Sequence, residues 1–125
     1  MVKSVITIIC ACVIIIVGAV FESVLLKRNF NELNQSFTVL YQKVENRTAT
    51  QDDVLAVQKS WLDKKKTLHA FIPHTEIKEM DLWIAESVTL VRDEEWADAV
   101  SKIEVLIELT EQIPELYRLK FGNIF

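Results

Sequence analysis

Glycine, proline and cysteine, the residues that punctuate most chains, are close to missing from the greater part of this one. In the 99 residues after Leu26 the only glycine is Gly122, the only prolines are Pro73 and Pro114, and there is no cysteine. Sheets need frequent turns, and most turns draw on glycine or proline, so this scarcity excludes a strand-rich fold and leaves helices. The lack of cysteine excludes a disulfide framework in this part and leaves the redox compartment open. With one glycine there is no phosphate-cradling loop, and no serine stands in a recognisable nucleophile elbow.

The first 26 residues lack charge instead. Between Lys3 and Glu22, the 18 residues Ser4 to Phe21 carry none, and the apolar run resumes through Val24, Leu25 and Leu26 before Lys27 and Arg28. As a helix the stretch from Ser4 to Leu26 reaches roughly 34 Å, enough to cross a hydrocarbon core of about 30 Å. A helix also satisfies its own backbone where lipid offers no partner. The sequence therefore predicts a transmembrane helix over residues 1–26, with the bilayer as first partner, and one soluble domain over residues 27–125. Val17-Gly18-Ala19 offers small residues for a signal peptidase, so a cleaved, secreted product is the competing reading. The apolar run past Ala19 favours a retained signal anchor. Basic residues flank both ends evenly. The short tail before the apolar run matches a single-pass cell-membrane protein whose C-terminal domain lies outside the cytoplasm.

Outside the anchor, 13 basic and 17 acidic residues leave a net charge of -4. That balance repels phosphate backbones and excludes nucleic acid as a natural partner. Cys10 and Cys12 sit two apart on different faces of the apolar helix, suited neither to a mutual disulfide nor to a metal site.

What is present is helical periodicity. Leu26, Phe30, Leu33, Phe37, Leu40 and Val44 are spaced four and three apart, one apolar seam continuing straight out of the anchor to about Glu45. Thr50, with Asp52 and Asp53 just after it, announces a second helix with Val54, Val57, Trp61, Leu68 and Phe71 on its seam and Lys64 in the one polar slot. Ile72-Pro73 ends it, and Thr75 offers a cap for a third helix carrying Ile77, Met80, Ile84, Val88 and Val91. Asp93 is the expected cap of a fourth, with Trp96, Ala99, Ile103, Leu106 and Ile113. Pro114 is expected to kink or end that helix, and Gly122 to close the apolar stretch Leu116, Tyr117, Leu119 and Phe121 beyond it. Each helix has one stripe to cover and the connections are short, so the fold class is all-α: a transmembrane helix continuing into an antiparallel bundle of the stalk and three helices. Residues 27–70 hold 8 basic and 5 acidic side chains and residues 74–115 hold 3 and 12, so the two halves are expected to attract.

No catalytic constellation stands out, and the reading is non-enzymatic, with no cofactor, no metal and no evident small-molecule substrate. His69 and His74 lie five apart across a proline, whereas ligands on one helix face want three or four. His74-Thr75-Glu76 mimics the H-x-E of zinc deaminases, but the chain has no P-C-x-x-C to go with it. His74, near Glu76 and Glu79, is a loop or cap residue with a secondary reading as a pH sensor. Trp61 and Trp96 fall on seams, so they and Trp83 read as core anchors rather than a ligand cage. Lys64-Lys65-Lys66 reads as a solvated face.

Two features point to a protein partner. Ser4, Ala11 and Gly18 recur every seven residues with Thr7 beside them, lining one side of the anchor with small groups that let another helix, self or foreign, approach. At the other end, Ile124 and Phe125 either fold back as a C-terminal staple or dock with the carboxylate into another protein. A sensory bundle that binds a small ligand between its helices is the alternative function.

The N-terminal anchor, the Trp61 helix, the Phe71-Ile72-Pro73-His74-Thr75-Glu76-Ile77 junction, the Asp93–Ala99 turn with Trp96 and the Asn123-Ile124-Phe125 ending together resemble a family of short bacterial single-pass proteins, domain of unknown function 4363. The resemblance covers nearly the whole chain and contains no catalytic motif. It implies a small membrane protein accessory to a larger membrane assembly, such as a multi-pass protein encoded nearby, and transfers no functional residue.

Overall fold

Four helices account for nearly all of the chain in the computed structural model, which describes residues 1–124, with side chains as far as Leu116. They are α1 (Val2–Glu45), α2 (Gln51–Leu68), α3 (His74–Arg92) and α4 (Trp96–Ile124), with no strand among the described residues. The apolar run and the first seam form one helix of 44 residues, unbroken at Lys27. No proline or glycine lies between Val20 and Glu45 to interrupt it.

The second half of α1 supplies one wall of an antiparallel four-helix bundle. Lys43 reaches Asp53 at 3.1 Å and Lys64 reaches Glu32, which sets α2 antiparallel to α1. Asn34 Nδ2 donates to Thr110 Oγ1 at 2.9 Å and the Tyr41 hydroxyl to Glu104 at 3.1 Å, which sets α4 antiparallel on the other side. α3 closes the ring between α2 and α4, and the most extensive packing is α1 on α4. All six expected α1 seam residues are buried, together with Val54, Trp61 and Leu68 of α2, Ile77, Met80, Ile84 and Val91 of α3, and Ala99, Ile103, Leu106 and Ile113 of α4. Val57, Phe71, Val88 and Trp96 pack on this core while remaining half-exposed.

Thr50 caps α2 as expected: its hydroxyl accepts from the Asp53 amide at 3.2 Å, and the Asp53 carboxylate accepts from the Thr50 amide at 2.9 Å. Other ends depart from expectation. Pro73, not Thr75, precedes the first residue of α3, and no side chain caps it. The rigid φ of proline presets the entry, so Thr75 lies inside the first turn. Asp93 does not cap α4; it closes α3, and α4 begins at Trp96.

Both distal turns use the same device. Arg47 at φ 58° and Glu94 at φ 56° take the left-handed conformation usually given to glycine. After α1, the Arg47 amide donates to the Val44 carbonyl and the Thr48 amide to that of Lys43; after α3, Glu94 donates to Val91 and Glu95 to Leu90. The helix-closing job is thus done by non-glycine residues at some cost in strain, which is how a chain so short of glycine still turns.

α4 runs through Pro114 and past Gly122 to Ile124, so neither residue ends it. The charge expectation also changes. Among the interhelical ion pairs described, only Lys65–Asp81 joins the basic half to the acidic half; Lys43–Asp53, Lys64–Glu32 and Lys102–Glu86 each stay within one.

Candidate functional site

The first turns of α1 are the part of the molecule that the rest of the chain leaves alone. From Val2 to Gly18 every residue is exposed, Ile14 by 70%, and beyond Gly18 the large residues Phe21 and Val24 are 64% and 61% exposed. The helix is long and apolar enough to cross a membrane. So long a bare apolar surface is unusual for a soluble monomer. Within it the Thr7 hydroxyl donates to the Lys3 carbonyl at 2.8 Å. Cys10 and Cys12 are free and exposed. Contact with the bundle begins at the half-buried Ala19, Glu22 and Leu25 and is complete at Leu26.

Ser4, Ala11 and Gly18 lie on this uncovered segment. Among the described residues, a side chain added at Gly18 would meet nothing within 4 Å. The Ile124 and Phe125 side chains, proposed from sequence as a second contact, lie outside the described residues.

Inside the bundle, polar side chains work as register pins. Asp81 receives the Trp61 indole Nε1–H at 2.6 Å on one carboxylate oxygen and Lys65 Nζ at 2.7 Å on the other, tying α3 to α2. Lys64, in the polar slot of the α2 seam, is half-buried against Glu32. The lysine run is therefore a solvated face only at Lys66, since its other two members bridge helices. The Lys64 hydrogen bond and charge hold the Glu32 carboxyl below its ordinary range. The Thr50 amide, with Lys43, does the same for Asp53. Hydrogen bonding to Glu104 raises the Tyr41 hydroxyl. Lys102 sits 4.5 Å over the ring of Trp83, a cation–π contact that occupies the third tryptophan.

His69 and His74, too far apart in sequence to share a helix face, are brought together by the proline turn: their rings meet edge to face at 5.7 Å between centroids. Both are exposed, and the described residues hold no group of three or more His, Cys, Asp or Glu arranged to grip a metal ion. A shallow groove of about 340 Å³ is lined by Val24, Lys27, Arg28, Asn31, Glu32 and Gln35. All six of these described lining residues belong to α1.

No curated protein matches the chain, and no solved structure does. The model of one family does, over residues 20–124, which takes in the whole bundle and starts just inside the apolar run. The chain belongs to that family, described as Domain of unknown function (DUF4363).

Proposed function

We propose that this chain is a non-enzymatic, single-pass membrane protein whose bundle acts as an accessory or scaffold subunit, with the spanning half of α1 binding a membrane protein or a second copy of itself. One observation carries the reading: a continuous helix with one half clad in protein and the other half apolar on every side and bare. Bare apolar surface of that length is stable in lipid and against other helices, and unstable in water. The uncovered small residues Ser4, Ala11 and Gly18 are where another helix would come closest. The bundle interior is filled by side chains such as Trp61, Phe30, Phe37 and Met80, which supports a structural module over a ligand-binding one. We place the bundle outside the cytoplasm.

The test is purification of the full chain in mild detergent after crosslinking, alongside the variant carrying Ala11→Leu and Gly18→Leu. Expected is a defined membrane-protein adduct or homodimer with the native chain that the variant loses while its bundle stays folded. A chain that neither self-associates nor carries a specific adduct overturns the partner reading. A mature product trimmed near Ala19 overturns the anchor. A reporter fused to the C-terminus decides the side.

A further inference from the structure

The interhelical contacts fix heights along the bundle as well as neighbours. Residue 43 of α1 faces 53 of α2, and residue 32 faces 64; each step forward on α2 is one step back on α1. Continued downward, this pairing brings the α2–α3 turn, residues 69–74, to about the height of residues 22–27, where the bare apolar half of α1 ends. His69, Ala70, Pro73 and His74 are exposed there, beside exposed Lys27 and Arg28 on α1. The same contacts send the other two connections, at residues 46–50 and 93–95, to the far end.

Charge is sorted along this axis in a way that the chain order hides. The far end, residues 43–53 and 91–101, has Lys43, Arg47 and Arg92 against Glu45, Asp52, Asp53, Asp93, Glu94, Glu95 and Asp98, a net -4. The near end, residues 22–31, 66–78 and 114–116, has Lys27, Arg28, Lys66 and Lys78 against Glu22, Glu76 and Glu115, a net +1 before either histidine is counted. The domain's whole negative charge is therefore carried away from the boundary.

We infer that the α2–α3 turn, with Lys27 and Arg28, is a lipid-contact surface: the bundle does not stand clear on a stalk but rests this end on the anionic headgroup layer of the bilayer that α1 enters, with its acidic end outermost. Basic side chains near an anionic surface are attracted and acidic ones repelled, and both effects fade within a Debye length. A charge gradient along the bundle axis thus presses the same end down that the helix register already lowers. The inference rests on the proposed membrane anchoring, and the experiment separates the two.

The full chain, with Cys10→Ala and Cys12→Ala, is reconstituted in vesicles of phosphatidylcholine and phosphatidylglycerol carrying lipids spin-labelled either in the headgroup or in the acyl chain. A polarity-sensitive fluorophore is attached through Ile14→Cys, Ala70→Cys or Asn46→Cys in turn. Expected is acyl-chain quenching at position 14, headgroup quenching at position 70 several-fold above that at position 46, and weaker quenching at 70 when phosphatidylglycerol is left out. Quenching at 70 no greater than at 46, with 14 still in the acyl region, overturns the seat and leaves the anchor standing. No acyl-chain quenching at 14 overturns both. Equal quenching at 70 with and without phosphatidylglycerol overturns the anionic recognition.

Discussion

The two halves of α1 belong to one unbroken helix, yet they meet opposite surroundings. Val5, Ile8, Ile15 and Phe21 are more than half exposed, whereas Leu26, Phe30, Leu33 and Phe37 are at most 4% exposed. The halves differ both in how many apolar residues they carry, 16 in residues 2–23 against 10 in residues 24–45, and in how these are spread around the helix. The second half confines them to one stripe and gives the other faces to Arg28, Asn31, Glu32 and Gln35, so three amphipathic partners suffice to bury it. The first half has them on every face, while the buried stripes of α2, α3 and α4 face the second half and one another. All-round apolarity asks for lipid, and a stripe asks for protein.

The largest expected effect breaks only the first half. Ile9→Arg combined with Ile16→Arg costs about 6 kcal/mol of insertion free energy on the translocon scale. The chain should move from the membrane to the soluble or aggregated fraction, while the bundle's thermal midpoint, read in detergent by circular dichroism, stays put. The mirror experiment is Trp61→Ala, which opens a cavity in the core and removes one donor from Asp81. It should cost about 3–5 kcal/mol, lowering the midpoint of bundle unfolding without changing the membrane fraction. If Trp61→Ala also released the chain from membranes, the halves would not be separable. Thr50→Ala removes the α2 cap and is expected to cost about 1 kcal/mol in denaturant titration, again in the bundle alone.

A gain rather than a loss is expected where the bundle is strained. Glu94→Gly relieves a left-handed non-glycine residue, and after the extra chain entropy of glycine the net stabilisation should be about 0.5–1 kcal/mol. The smallest effect is on pH. Glu32 and Asp53 have folded pKa values lowered by Lys64 and Thr50. Their contributions are complete above the ordinary carboxylate range and are lost as pH falls through the lowered folded values. Glu32 is exposed and Asp53 half-buried at the surface, so the acid shift in unfolding midpoint should be small, and it should shrink further in Glu32→Gln.

Much of this architecture is legible in the sequence because the apolar spacing and the packing obey one rule. The six α1 seam residues can be read from steps of three and four, and every one is buried. Ser87 and Thr110 escape such a reading because they are polar, although they continue the seams from Ile84 to Val91 and from Leu106 to Ile113. Burial is tolerated because each hydroxyl donates to a carbonyl of its own helix, Trp83 or Ile107. The spacing holds the signal and the residue type conceals it. Thr75 and Asp93 look like caps and are not, because the ends there are set by proline and by left-handed residues, and a left-handed Glu94 has no sequence signature comparable to glycine. Lys64 looks like an interruption of its seam; its partner Glu32 lies 32 residues away, and no local pattern predicts that pairing. Of the candidate contact residues, Ser4, Ala11 and Gly18 lie on the uncovered part of α1, and the side chains of Ile124 and Phe125 lie outside those described.

A helix with no joint makes the bundle a lever. If α1 spans a bilayer as proposed, thinning of that bilayer makes the rod lean to keep its oily length covered. A lean of about 20° would swing the outer turns, roughly 30 Å further along the same rod, sideways by about 10 Å. Anything grasping those outer turns would feel membrane thickness as displacement.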